Sequence, residues 1–103
     1  AIDGEKFEFT SMYPEYSKIA QEEGFLDIAR KFALVAEIEK EHHKRYKKLL
    51  ENLINNEVFT KKTGINVWKC RNCGNIVVSK SAPAICPVCN KAQAYFELNV
   101  ENY

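Results

Sequence analysis

The sequence has almost no excess of charge: 15 lysines and arginines stand against 14 acidic residues, for a formal net charge of +1. That balance excludes a field strong enough to draw in nucleic acid or an anionic membrane, so partners have to be argued from sites. No apolar run approaches the roughly 20 residues that cross a bilayer. Residues 1–20 lack the basic, apolar and small-residue order of a secretory signal. A soluble, cytosolic chain is expected. No internal repeat and no low-complexity segment is present, and cysteine is absent before Cys70. All four cysteines, Cys70, Cys73, Cys86 and Cys89, then fall in two C-x-x-C pairs. In a reducing compartment that pattern points to metal ligation rather than to a disulfide framework.

What is present divides the chain in two. With 103 residues and 46% hydrophobic content, there is material for one modest domain or for two units that lean on metal or partners. From Gly4 to Asn55 the sequence is rich in Glu, Lys, Ala, Leu and Ile, with apolar residues three and four apart, which predicts amphipathic helices near 4–22 and 25–55. Gly24 supplies the break between them, and Pro14 should bend the first or mark a local end. In the second helix Ile28, Phe32, Val35, Glu39, His42, Tyr46, Leu49 and Leu53 are spaced alternately by four and three, the pattern of a bundle-core seam. Glu5, Glu8, Met12, Tyr16 and Ile19 make a comparable stripe in the first. Residues 56–66 read as a polar linker. From residue 67 to 103, short β-prone pieces at Val67–Lys69, Ile76–Val78 and Ala94–Leu98 alternate with turn residues, too few and too short to be stable without a staple. The fold class is therefore α+β, two long helices followed by a small β module.

The staple is the cysteine set. Each C-x-x-C pair lets two thiolates approach one ion from a tight turn, and the twelve residues between the pairs bring the turns together into a tetrahedron of sulfurs. Gly74 follows the first pair and Asn90 the second, the two residue types that best tolerate positive φ. Soft thiolates suit zinc and a single iron alike, so the spacing leaves a structural zinc ribbon and an iron centre both open.

Glu39 and His42 form Glu-x-x-His on one helical face, from which a carboxylate and an imidazole can reach one ion. In a helix this charged, such a pair is ordinarily a solvated face. The seam register favours the other reading, because a carboxylate at a core position costs several kcal/mol unless it is paired or binds metal. Glu5, Glu8 and Glu39, with His42, all fall on the expected inner faces. His43, turned about 100° from His42, is expected to be exposed and without a role. A di-iron carboxylate bundle takes a Glu from each of two helices and Glu-x-x-His from each of the other two. This chain supplies half of that set and two of the four helices.

At this point the residues resemble rubrerythrin, the non-haem di-iron peroxidase family that joins a ferritin-like bundle to a rubredoxin-like domain. The resemblance rests on Gly4 to Phe9, Met12-Tyr13-Pro14, Glu22 to Phe25, Glu39 to His42 with Arg45-Tyr46, and Trp68 to Gly74. It continues through Ala82-Pro83, Cys86 to Cys89, and Ala94 to Glu97. It implies that residues 1–55 are half of a ferritin-like four-helix bundle and residues 67–103 a rubredoxin-like domain whose four cysteines hold one iron. It implies further that Glu5, Glu8, Glu39 and His42 are di-iron ligands, with Glu8 at the position whose carboxylate moves with redox state. Zinc can fill a four-cysteine site and even one di-iron position in place of iron. The implied reaction reduces hydrogen peroxide to water, with electrons relayed through the four-cysteine iron from an NAD(P)H-dependent reductase or a rubredoxin.

The family's first two helices are not in this sequence. The bundle is therefore expected to be completed by a second copy or by a polypeptide that carries them, this chain being a cleaved, separately made, truncated or natural half. Two other functions stay open: an electron carrier with the four-cysteine iron as its sole redox centre, and a zinc-ribbon interaction module whose helices bind a partner.

Overall fold

The computed structural model describes residues 1–103 and divides them into two compact units, Ala1–Glu51 and Asn52–Tyr103. The helices come first and a small three-stranded antiparallel sheet follows, as the α+β reading requires. No helix is long and apolar enough to cross a membrane.

The first helix is not uniform. α1 (Ile2–Phe7) runs through a π-helical turn at Glu8–Met12 into α2 (Tyr13–Glu22). Pro14 explains part of this. It has no N–H to give the carbonyl four residues back, and its ring crowds that carbonyl, so regular α-helix cannot run undisturbed through Thr10. The turn is closed instead by the Tyr13 N–H donating to the Glu8 carbonyl, five residues back. The Thr10 hydroxyl donates to the Lys6 carbonyl at 2.5 Å. Helix α2 ends in a Schellman motif, with Phe25 N–H on Ala20 O at 2.8 Å, Gly24 N–H on Gln21 O at 3.1 Å, and Gly24 at φ +85°. α3 (Leu26–Ile54) ends the same way on Asn56, at φ +56°.

Within the first unit, α2 and α3 meet along small residues. Ala20, Ala29 and Ala36 are its buried hydrophobic residues, and the Ser17 hydroxyl donates to the Ala29 carbonyl at 2.7 Å. Tyr13 and Tyr16 pack on Phe32, with ring centroids 6.1 and 5.5 Å apart. Of the expected seam on α3, Phe32, Val35 and Glu39 are half-buried here, and the adjacent row of Ala29, Ala36 and His43 turns inward with them. Ile28, Tyr46, Leu49 and Leu53 are between 41% and 66% exposed, because two helices touch only along one flank. His43 is also corrected. It is half-buried on that flank, with Nδ1 3.1 Å from the Ile2 carbonyl and its ring against Phe9.

The second unit is built on β1 (Asn66–Cys70), central between β2 (Ile76–Ser79) and β3 (Phe96–Leu98). Trp68 pairs with Val77 and Leu98, and Cys70 with Phe96. Period-two alternation puts Trp68 and Cys70 on the buried face, where they join Ala82, Cys86 and Phe96 in one core. Part of the polar stretch after α3 packs here too: Phe59 lies against the core and its carbonyl accepts from Ala82 N–H. Trp68 is 1% exposed, and its indole N–H donates to the Ser79 carbonyl at 3.1 Å. Trp68→Ala should therefore lower the unfolding free energy of the metal-loaded chain by about 3–5 kcal/mol in urea titrations. A loss below about 1 kcal/mol would contradict this account of the core.

Candidate metal centres

The two C-x-x-C turns are near copies of each other. In the first, Cys70 N–H donates to Asn75 O at 2.9 Å and Gly74 N–H to Cys70 O at 2.8 Å. In the second, Cys86 N–H donates to Lys91 O at 2.8 Å and Asn90 N–H to Cys86 O at 3.0 Å. Positive φ at Gly74 (+85°) and Asn90 (+63°) makes both turns possible, as their residue types implied.

These turns aim four sulfurs at one point. All lie within 4.8 Å of one another, with Cys70 to Cys89 and Cys73 to Cys86 each at 3.7 Å. A tetrahedron with metal–sulfur bonds of about 2.3 Å has edges of about 3.8 Å, so the cysteines fit a single soft metal ion. None is in a disulfide. Exposure alternates within each pair: Cys70 and Cys86 are buried, while Cys73 is exposed and Cys89 half-buried.

Amides around the sulfurs tune them unequally. A side-chain contact from Asn72 and the Lys91 amide outweigh burial and bring Cys89 down to about 6. The Cys89 and Val88 amides lower Cys86. At Cys73 the Asn75 amide, 3.4 Å from the sulfur, pulls downward, but burial and the crowding of the other three sulfurs push it up to about 12.

In the helical unit, Glu5 from α1 and Glu39 and His42 from α3 converge, each with a ligand atom within 4.8 Å of the others. His42 Nδ1 lies 2.9 Å from Glu39 Oε2 and 3.6 Å from Glu5 Oε2. Glu5 Oε2 is buried without a hydrogen-bond partner. Its carboxyl is held above the usual range, first by the side-chain contact with Glu39, then by burial and the Glu39 charge; His42 and Glu8 act the other way. The hard oxygen donors of two half-buried carboxylates and the borderline nitrogen of the imidazole beside them suit a first-row transition metal. Glu8, the first residue of the π turn, stands outside this group of three but reaches the Glu5 carboxyl. The π turn was not foreseen; Pro14 was its one visible signal.

The family model for rubrerythrin matches residues 1–66, and that for the rubrerythrin rubredoxin-like domain matches residues 68–97. The chain belongs to the rubrerythrin family. Over all 103 residues it is 48% identical to rubrerythrin-1 of Clostridium acetobutylicum, of which it covers 52%, and 45% identical to rubrerythrin of Porphyromonas gingivalis, of which it covers 51%. Rubrerythrin of Nitratidesulfovibrio vulgaris is 42% identical over 95 residues, 92% of this chain and 49% of that protein. The chain thus spans about half the length of the curated relatives it matches. Membership in the rubrerythrin family implies di-iron and rubredoxin-like iron centres, and the four-sulfur geometry is consistent with iron in the second unit.

Metal must displace the proton that Cys73 retains at neutral pH, because only the thiolate is a ligand. Affinity of the four-cysteine site should therefore rise with pH, about tenfold per unit for each proton displaced, between about pH 6 and 8. Competition against a chelator checks this, and an affinity independent of pH would contradict it.

Proposed function

We propose that this chain is part of a peroxide-reducing di-iron enzyme, in which Glu5, Glu8, Glu39 and His42 contribute to a di-iron site and the four cysteines hold the iron that relays electrons to it. The observation that carries this reading is the convergence of Glu5, Glu39 and His42, with Glu5 Oε2 buried and without a partner. Near it on α3, Ile38 and Tyr46 lie open to solvent, part of a set of exposed large apolar side chains of the kind that an association surface buries. Two further helices, from a second copy or from a polypeptide carrying them, would cover these side chains and supply the remaining ligands.

Each residue then has a defined task. His42 offers Nδ1, the ring nitrogen that already faces both carboxylates. Glu5 and Glu39 offer carboxylate oxygens from facing helices, and the crowding that holds the Glu5 carboxyl above its usual range is what a cation between them would relieve. Glu8 is the carboxylate that changes position during turnover. When bound, two irons supply two electrons which, with two protons, convert hydrogen peroxide to two waters. Electrons from a reductase or a rubredoxin would enter the second unit on the side of Cys73, the exposed sulfur.

Metal analysis of the isolated protein with visible spectra before and after anaerobic reduction tests the proposal. More than one iron per chain, with the iron–thiolate colour bleached on reduction and restored by peroxide, is expected. One iron without a peroxide response would leave an electron carrier, and a colourless protein with one zinc would leave a structural module. Glu39→Ala should cut peroxide turnover by more than the roughly 10- to 100-fold that loss of an outer metal partner costs, and leave the iron–thiolate colour intact. Unchanged turnover would remove Glu39 from the site.

A further inference from the structure

Positive charge in the second unit is unevenly placed. The unit holds Lys61, Lys62, Lys69, Arg71, Lys80 and Lys91 against only Glu57, Glu97 and Glu101. Lys62 is paired with Glu57 at 3.3 Å and Lys69 with Glu97 at 3.7 Å. Lys80 follows β2 at the end of the sheet remote from the cysteines, and the Thr60 to Ser81 bridge keeps Lys61 at that end. Glu101 lies beyond the end of β3, past the pairing of Asn99 with Val67. At the cysteine end only Arg71 and Lys91 remain, and neither has a carboxylate partner.

These two cations converge on one turn. Arg71 lies between Cys70 and Cys73, donates its backbone N–H to Tyr95 O at 2.8 Å, and reaches Ala94 O with its guanidinium at 3.5 Å. Lys91, two residues after Cys89, lies 5.5 Å from the centre of the Tyr95 ring. Both are exposed, and with them are Tyr95 at 40% and Val88, inside the second cysteine pair, at 66% exposure. The cysteine end of the unit thus carries exposed apolar and aromatic side chains in and after the second cysteine pair, with two unneutralised cations and no free carboxylate.

We infer that the patch formed by Arg71, Lys91, Tyr95 and Val88 is the docking surface for an acidic one-electron carrier protein, which passes its electron to the four-cysteine site. The inference rests on reading that site as the point of electron entry. Charge complementarity identifies the partner: cations beside an apolar contact steer an acidic protein to the correct face and speed encounter, and they repel a basic one. The step moves one electron from the carrier, which is oxidised, to the ferric four-thiolate site, which is reduced; no bond is made or broken.

Reduced flavodoxin, an acidic one-electron carrier, is a suitable probe. With the zinc-loaded, isotopically labelled full chain at low ionic strength, amide resonances of Arg71, Val88, Lys91 and Tyr95 should shift on adding flavodoxin and return at about 0.5 M salt, where screening is severe. With the iron-loaded chain, the double variant Arg71→Glu, Lys91→Glu should be reduced by flavodoxin roughly tenfold or more slowly at low salt, while dithionite still bleaches it completely. Lys80→Glu should change the flavodoxin rate by less than about twofold. Shifts clustered instead around Lys61, Lys62 and Lys80, or equal slowing by Lys80→Glu, would overturn the assignment of the surface. Failure of dithionite to bleach the unsubstituted protein would overturn the electron-entry reading, and the docking surface with it.

Discussion

Thiolates repel one another and resist burial, yet the second unit holds four sulfurs within 4.8 Å and buries those of Cys70 and Cys86 completely enough to count them in its core. A cation at their centre reverses the sign of both terms, because repulsion becomes ligation and the charge is neutralised where it is buried. The rest of the unit depends on this. Trp68, Ala82 and Phe96 pack around two of the sulfurs, and three short strands have little else to hold them in register. Metal binding and folding are therefore one process in this part of the chain.

The helical unit solves a related problem with carboxylates. Small alanines let α2 and α3 approach closely, and that approach brings α1 near enough for Glu5 to meet Glu39 and His42 across the hairpin. The close contact takes up the small residues and leaves the large ones free. A helix pair built this way leaves large apolar side chains open to solvent and one carboxylate oxygen of Glu5 buried without a partner.

Much of this was legible in the residues. The sulfur tetrahedron followed from two C-x-x-C pairs with Gly74 and Asn90 behind them, because a tight turn with positive φ leaves few ways to orient two thiols. The hairpin followed from Gly24, and the convergence of Glu5, Glu39 and His42 from helical spacing. What did not follow was the facing of the first helix. The expected stripe Glu5, Glu8, Met12, Tyr16, Ile19 assumed an unbroken α period, whereas the π turn adds one residue. The row in line with Glu5 moves on by one, to Tyr13, Ser17 and Ala20, which are the residues that turn away from solvent. His43 was misjudged for a separate reason. Its place 100° from His42 was correct, but that direction faces the start of α1 rather than water.

The π turn is slack in an otherwise taut helix. A turn closed five residues back differs from its α-helical neighbours by a single carbonyl, so the excess can pass to the adjacent residue by exchanging one hydrogen-bond partner. Such a shift would advance the backbone at Glu8 by about the 1.5 Å rise of one residue. For the role proposed for Glu8, that turn would serve as a sliding joint within the helix.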